Sequence, residues 1–275
     1  MNLIDIVLAS AGLFTAGLIK GVTGIGFSTC ALPFLVLAVG LKPAMAIVTI
    51  PALVSNFAVI AGGAGLARVI SRFWPFYVAI VPGILAGTSV IAFVDLRLAV
   101  QLLAVLTLAY VWLALVRPDL TLPPAMARVL AAPAGLLNGF LTGLTGSQIV
   151  PLMPYMMALK LAPEEQVQAV NLAVSLASAF LAAALAGAGI MTAELAIASA
   201  AGVLPAVAGV AIGGRLRGQL SMAAFRHVAL ATLAVLALSL YGRGPAQTGV
   251  SCAALPGVPI EAATAGALLR HETIR

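Results

Sequence analysis

A lysine, Lys20, is the only charged residue between Asp5 and Lys42, in a stretch of the chain that is otherwise rich in apolar residues. It begins the sequence KGVTGIGF, whose glycines can interrupt a helix and expose its backbone. A helix that restarts after such a break has unpaired N–H groups and a positive dipole end at its first turn, and both attract anions. An ammonium group next to free backbone amides therefore indicates anion-binding chemistry.

A second stretch, TGLTGSQI, repeats this pattern in the other half of the chain. Three glycines have the same spacing in both halves: Gly17, Gly21 and Gly24 in the first, and Gly139, Gly143 and Gly146 in the second. Thr142 occupies the position that corresponds to Lys20, so a site formed by both stretches would be positively charged from one side only. We expect segments that start at Phe27 and at Ser147 to direct free N–H groups at this site.

We predict a substrate site from the glycine, hydroxyl and amide residues of these stretches and of the segments that follow them. Its members in the first half are Lys20, Gly21, Thr23, Gly24, Gly26, Ser28 and Asn56. Its members in the second half are Thr142, Gly143, Thr145, Gly146, Ser147, Gln148, Asn171 and Ser175. Hydroxyl, amide and backbone N–H groups of this kind donate hydrogen bonds to the oxygens of an anion.

The acidic residues argue against a cation carrier, and little in the chain suggests an enzyme. All eight acids lie at segment ends, in loops or in the C-terminal tail: Asp5, Asp95, Asp119, Glu164, Glu165, Glu194, Glu261 and Glu272. A cation or metal carrier normally places a carboxylate in its interior, and an enzyme needs a nucleophile, a base or a metal set that converges on one point. We therefore predict no catalytic residue, no metal ligand and no cofactor.

The composition is that of an integral membrane protein. The chain is 63% hydrophobic and 8% charged, whereas soluble domains are roughly 45 to 50% apolar and about 25% charged. Apolar stretches recur over its length, which predicts a protein surrounded by the lipid bilayer. The basic residues are scattered in short loops and form no patch interleaved with aromatic residues, so we exclude nucleic acid as a partner.

Ten apolar segments are predicted, at 3–20, 26–41, 44–66, 74–94, 97–116, 129–142, 147–160, 164–190, 193–212 and 222–241. The first two of each five are short, and we expect each such pair to form a hairpin within the membrane instead of two complete crossings. The predicted fold class is all-α, a polytopic transmembrane bundle of two inverted repeats with glycine-interrupted hairpins. Residues 1–241 form one transporter domain, with repeat 1 at 1–117 and repeat 2 at 128–241, and 242–275 form a loose tail.

The basic residues support the inversion. If the segments alternate in direction, eight basic residues collect on one face of the membrane: Arg68, Arg72, Arg117, Arg128, Lys160, Arg215, Arg217 and Arg226. The positive-inside rule makes this basic face cytoplasmic, which leaves both termini periplasmic or extracellular. Asp95 and Ser221 correspond in the two repeats, and each is predicted to be the N-cap of the helix that follows.

Three simpler interpretations stay open. The glycines of the first half fall on one face of a helix and could form a packing seam, although we favour a helix break at a site. Lys20 could extend its ammonium to the cytoplasmic interface, and it would lie at the entrance if the first segment crosses the membrane as one helix. The Ser and Thr hydroxyls could bond to backbone carbonyls four residues earlier.

The two halves resemble those of the TauE/SafE family. The resemblance covers about residues 1–241 and is carried by AGLIKGVTGIGF and GLKPAMAIVTIPALVSN in the first half and by GFLTGLTGSQIVPLMPYMMALKLAPEEQVQAVNLAVS in the second. It implies a bacterial inner-membrane secondary transporter of sulfite, organosulfonates or related small anions. It also implies a central site formed by the glycine motifs at 21–26 and 143–146, with Asn56 and Asn171 close by. The second motif departs from the family pattern by reading Gly-Ser-Gln instead of a richer glycine run.

We therefore expect a secondary transporter that exports a small sulfur-containing anion by alternating access. Coupling would be to the proton or charge gradient, and a proton could cross on the substrate itself, because no carboxylate lines the interior to carry it. Two alternatives are a carrier of another small anion, such as a carboxylate or another oxoanion, and a membrane subunit with an assembly role that transports nothing.

Overall fold

The computed structural model of the protein describes residues 3–91, 93–116, 121–217 and 222–241, with all their side chains except those of 124 and 222–227. Every regular element in these ranges is a helix, which confirms the all-α class. The helices are α1 (Leu3–Thr23), α2 (Phe27–Val39), α3 (Leu41–Ala61), α4 (Leu66–Val90), α5 (Leu96–Val116), α6 (Pro124–Thr145), α7 (Leu152–Ala158), α8 (Pro163–Gly187), α9 (Ala193–Ala201), α10 (Val203–Leu216) and α11 (Met222–Tyr241).

Seven helical stretches among the described residues are long and apolar enough to cross a membrane. They are α1, α3, α4, α5, α6, α8 and the nearly continuous pair α9–α10, which spans Ala193–Leu216. Each has 21 to 25 residues. A helix of about 20 residues is about 30 Å long, which is the thickness of the hydrocarbon core of a bilayer. The prediction of a polytopic membrane protein is therefore confirmed.

The prediction that the first segment of each half is too short to cross is wrong. α1 has 21 residues and continues to Thr23, and α6 has 22 residues between Pro124 and Thr145. Both helices extend beyond their apolar runs, because a helix can contain residues such as Lys20 or Arg128 that a hydropathy pattern treats as an end. In each pair the second helix is the short one, with 13 residues in α2 and 7 in α7.

Two pairs of helices pack with their backbones in close contact along glycines. α1 meets α10 through Gly17, Gly21, Gly209 and Gly213, and α6 meets α4 through Gly139, Gly143, Gly83 and Gly87. A Cβ added to Gly21 would lie 2.7 Å from the backbone nitrogen of Gly214, and one added to Gly143 would lie 2.7 Å from that of Thr88. The packing-seam interpretation is therefore correct for the glycines inside α1 and α6, and the predicted break occurs only beyond them.

The helix pairs match between the two halves of the chain. α1, the first helix, packs most extensively against α10, and α6, the first helix of the second half, packs most extensively against α4. α3 packs against α8 and α5 against α11, so helices of the same rank also meet each other. Such an exchange of partners is what a pseudo-two-fold arrangement would produce. The inverted relation of the repeats stays a prediction.

One predicted N-cap is confirmed. The Asp95 Oδ1 atom accepts a hydrogen bond of 2.9 Å from the backbone N–H of Arg97, and α5 begins at Leu96. This bond satisfies one of the N–H groups that the first turn of a helix leaves unpaired. The corresponding Ser221 lies outside the described residues, as does the predicted loose tail at 242–275.

Residues of the predicted basic face meet at one end of the bundle. An Arg72–Glu165 ion pair of 2.9 Å joins the start of α4 to the start of α8. The Arg217 Nε atom donates a hydrogen bond of 2.8 Å to the Val22 carbonyl, which joins the last turn of α1 to the end of α10. We call this end of the molecule, where α1 and α10 end and α4 and α8 begin, the basic end.

Candidate functional site

The helix breaks that follow α1 and α6 have the same local geometry. Gly24 and Gly146 both have positive φ angles, of 82° and 75°, and their N–H groups each donate a 2.7 Å hydrogen bond to the carbonyl four residues earlier. Thr23 and Thr145 precede these glycines, and their hydroxyls donate at 2.8 and 2.7 Å to carbonyls four residues back. The same hydroxyls accept the N–H group two residues later. A Thr-Gly pair therefore ends both helices in the same way, since glycine adopts a positive φ without strain.

Beyond these glycines the two breaks differ. Phe27 starts α2 directly after Gly26, which has a φ of 89° and provides no side-chain cap. The first N–H groups of α2 therefore have no partner within the helix, as predicted. The corresponding prediction for Ser147 is wrong, because its N–H group bonds to Thr145 Oγ1 at 3.1 Å and α7 starts only at Leu152. Pro151 accounts for the delay, since the residue before a proline is disfavoured in a helix.

The two breaks line one small inner cavity of about 20 Å³. Its walls come from the first break and α2 (Ile25, Gly26, Phe27, Ser28, Thr29), from α3 (Asn56), from the second break and α7 (Gln148, Leu152, Met153) and from α8 (Val170, Asn171, Val174). A cavity of this size has room for about one water molecule. Five of the predicted site residues thus line the same cavity: Gly26, Ser28, Asn56, Gln148 and Asn171.

Three polar atoms on the side chains that line the inner cavity have no hydrogen-bond partner. They are Ser28 Oγ, Asn56 Nδ2 and Gln148 Oε1. These side chains are only 4%, 2% and 2% exposed, so bulk water does not satisfy them. Leaving a buried polar atom unpaired costs about 1 to 3 kcal/mol, and such atoms in a native protein call for an explanation. A polar ligand in the inner cavity would provide the missing partners.

Lys20 acts on this cavity through Asn56. Lys20 is 1% exposed and does not belong to the cavity wall, and its Nζ atom donates a hydrogen bond to Asn56 Oδ1. An ammonium that extended into water at the membrane interface would be exposed, so this burial contradicts the snorkelling interpretation of Lys20. Because α1 is long enough to cross as one helix, the position of Lys20 at the entrance stays a prediction. The bond holds the Asn56 amide by its oxygen and leaves the Nδ2 group available to a ligand.

A larger cavity of about 450 Å³ lies next to the inner cavity, and we call it the vestibule. Four residues line both cavities and so form the partition between them: Ile25, Gly26, Thr29 and Met153. The remaining walls come from the ends of α1 and α5, from α2, from Ile149 and α7, from the first turn of α8 and from α11. Their residues are mostly apolar: Ile19, Thr23, Cys30, Tyr110, Ala114, Ile149, Met157, Gln166, Ala229, Leu230 and Leu233. Since α1 ends and α8 begins at the basic end, the vestibule lies towards that end.

Side chains of the second half hold both breaks in place. The Asn138 Nδ2 group donates to the backbone carbonyls of Gln148 at 3.2 Å and Val150 at 3.4 Å, and Gln148 Nε2 donates to Ser178 Oγ at 3.0 Å. At the first break, Asn171 Nδ2 donates to the Gly24 carbonyl at 2.9 Å. Asn138, Ser178, Thr29 and Met153 were not predicted, and only Asn138, directly before the second glycine motif, offered a sequence signal.

The other predicted site residues have local roles. Gly21 and Gly143 lie in the glycine seams and face neighbouring helices. Thr142 donates a hydrogen bond to the Ser147 carbonyl at 3.1 Å, and Ser175 donates to the Asn171 carbonyl at 2.8 Å. For Thr23, Thr145 and Ser175, the interpretation that hydroxyls bond to carbonyls four residues earlier is therefore correct.

Among the described residues, no three His, Cys, Asp or Glu side chains lie close enough together to hold a metal ion. A sequence model for the family described as "Sulfite exporter TauE/SafE" matches residues 8–240. Comparison with curated proteins and with solved structures gives no match.

Proposed function

The chain belongs to the TauE/SafE sulfite exporter family of membrane transporters, and on this premise we propose that it exports sulfite or a related small sulfur-containing anion by alternating access. The substrate binds in the inner cavity between the two helix breaks. The protein acts in the bacterial inner membrane with its basic end in the cytoplasm, following the positive-inside rule, and with both termini on the other side.

The observation that carries this proposal is that both breaks line one buried cavity whose wall contains polar atoms without partners. The first turn of α2, whose N–H groups have no partner within the helix, lines this cavity, and Ser28 and Asn56 add side-chain donors without partners. The Lys20 ammonium adds positive charge one hydrogen bond away. Donors in a buried site stabilise an anion more strongly than donors in bulk water, because the charge is screened less there.

The vestibule supports access to this site from the cytoplasm. It lies towards the basic end and is separated from the inner cavity by the partition of Ile25, Gly26, Thr29 and Met153. The inner cavity has room for about one water molecule, so an anion can enter only if the partition yields. Met153 is suited to yielding, since a methionine side chain is unbranched and adapts its shape. Opening of the inner cavity to the opposite side of the membrane requires the second break to move away from the residues packed against it.

Flux of sulfite in proteoliposomes tests the proposal. We expect transport of sulfite and no transport of a cation such as sodium. The Lys20→Met variant should reduce sulfite flux by at least about tenfold, because hydrogen bonds to a charged group contribute about 1.5 to 3 kcal/mol. Lys42→Met is the matched control, since Lys42 lies on the first turn of α3, away from the cavity wall, and this variant should transport at the wild-type rate.

The outcomes separate the two parts of the proposal. If the wild-type protein transports no anion, the proposal that it is a transporter is wrong, and the alternative of a membrane subunit with an assembly role is favoured. If the wild type moves sulfite and Lys20→Met does so equally well, the role of Lys20 is wrong while transport stands.

A further inference from the structure

We propose that the inner cavity selects an oxyanion that carries its own acidic hydrogen, such as hydrogen sulfite, and that the Gln148 side-chain oxygen accepts the hydrogen bond from it. The inference rests on the proposed function and adds the protonation state of the substrate. It assigns a specificity role to Gln148 that differs from that of the donors around it.

The donors and acceptors in the wall carry the argument. Ser28 Oγ and Asn56 Nδ2 can donate to a ligand, whereas Gln148 Oε1 can only accept, and all three are buried without a partner. A fully ionised anion has no hydrogen to donate, so its oxygens would face the Gln148 oxygen and repel it. An anion with one hydroxyl satisfies all three atoms at once. Such a ligand also avoids the cost of leaving the Gln148 oxygen unpaired.

The hydrogen bonds around Gln148 leave its side-chain oxygen as the atom without a partner. Its Nε2 group donates to Ser178 Oγ at 3.0 Å, and Ser178 is fully buried. Its backbone carbonyl accepts from Asn138 Nδ2 at 3.2 Å, which fixes the main chain at this residue. With the nitrogen end of the amide occupied, the oxygen end is the part of Gln148 that a ligand can reach.

None of the side chains that line the cavity is charged. A change of charge inside the cavity therefore comes from the ionisation of the ligand. The charged or titratable groups on the surrounding elements are Asp5 and Lys20 on α1, Cys30 on α2, Lys42 on α3, Arg128 on α6, Tyr155 on α7, Glu164 and Glu165 on α8, and Arg215 and Arg217 at the end of α10. Of these, Lys20 contacts a cavity residue through its bond to Asn56. Loss of the Lys20 charge would weaken the binding of all anions alike, and this shared effect provides the control.

The consequence for transport is that a proton crosses with each anion. Hydrogen sulfite loses its proton near neutral pH, whereas an alkyl sulfonate such as methanesulfonate stays ionised and has no acidic hydrogen. The proton leaves on the substrate, and no carboxylate in the protein has to carry it. Sulfite should therefore be preferred over sulfonates, and its transport should follow the concentration of the protonated form.

The test measures proteoliposome flux of sulfite and of methanesulfonate from mildly acidic to mildly alkaline pH. In the wild type we expect sulfite flux to fall in proportion to the hydrogen sulfite fraction, and methanesulfonate flux to stay low and constant. In the Gln148→Met variant, the ratio of sulfite flux to methanesulfonate flux should fall by about tenfold or more, and the methanesulfonate flux itself should rise. Gln168→Met is the matched control, because Gln168 is also buried with an unpaired Oε1 atom but lies outside the cavity wall.

Each other outcome overturns the inference. Sulfite flux that does not change with pH in the wild type rejects it and leaves the proposed function intact, and this readout needs no variant to fold. A parallel fall of sulfite and methanesulfonate assigns the pH dependence to Lys20 instead of the ligand. Absence of flux for every anion rejects the proposed function itself.

Discussion

The two helix breaks begin identically and end in different surroundings. Both start with a Thr-Gly pair whose hydrogen bonds agree to within a few tenths of an ångström. The first break is three residues long and its Ile25 and Gly26 are partly exposed, because they border the vestibule. In the second break every residue from Leu141 to Ile149 is buried.

This difference shows how one local motif can provide an open side and a closed side. The Thr-Gly pair determines how each helix ends, but the residues packed over it determine whether a solute can reach it. A Cβ added to Gly26 would meet no atom within 4 Å, whereas one added to Gly146 would lie 2.7 Å from Met45 Cγ. In this structure the first break is therefore partly exposed to the vestibule, whereas the second break is buried.

Alanine at the two glycines should produce the largest contrast between the breaks. Gly26→Ala and Gly146→Ala both force a positive φ on a residue with a side chain, at a cost of about 1 to 2 kcal/mol. Gly146→Ala also introduces a clash with Met45 and Leu32, which adds about 1 to 3 kcal/mol. Thermal unfolding of the detergent-purified variants should therefore show the lower Tm for Gly146→Ala. Equal Tm values would mean that the second break is not packed as tightly as described.

Accessibility to a thiol reagent should differ on the order of tenfold between the breaks, since reaction requires exposure of the thiol. A cysteine is placed at Thr29, on the vestibule wall, or at Ser147, in the buried second break, after Cys30 and Cys252 are replaced by alanine. A membrane-impermeant maleimide added from the basic end should label Thr29→Cys quickly and Ser147→Cys slowly. Labelling of Ser147→Cys at the same rate would contradict the burial of the second break.

The smallest effect is expected for Arg217, whose guanidinium bonds to the Val22 carbonyl at the end of α1. Arg217→Gln removes this bond from a side chain that is exposed, so we expect a loss of about 0.5 to 1.5 kcal/mol in stability. Arg215→Gln serves as control, because it removes an arginine of the same helix end and leaves the bond from Arg217 to the Val22 carbonyl in place. A Tm decrease shared equally by both variants would show that charge, and not the bond to Val22, is responsible.

Much of the candidate site could be predicted from sequence because its pattern is local. Gly24, Gly26 and Gly146 end or interrupt helices through their own conformational freedom, and the repeat of the motif indicated that the two breaks act together. Asn56 and Gln148 could be proposed because an amide in an apolar segment needs a partner. For these residues the type of side chain and its position relative to the breaks were sufficient.

The rest depends on packing that sequence spacing does not determine. Glycines four residues apart suit a helix break and a helix–helix seam equally well, so Gly21 and Gly143 were predicted to contact substrate although they face neighbouring helices. Met153 and Ser178 have ordinary surroundings in sequence, and they matter only because α7 and α8 place them beside the breaks. The depth of Lys20 depended on where α1 ends, which the apolar run did not indicate.

The glycine seams also determine which parts of the bundle can behave as stiff units during transport. At these glycines, α1 contacts α10 and α6 contacts α4 through the backbone, so at these points no side chain can change rotamer and absorb a displacement. Each pair joins a helix of one half of the sequence to a helix of the other. If transport follows the proposed alternating access, we expect the moving bodies to contain elements from both halves, and the connection between the halves need not be a hinge.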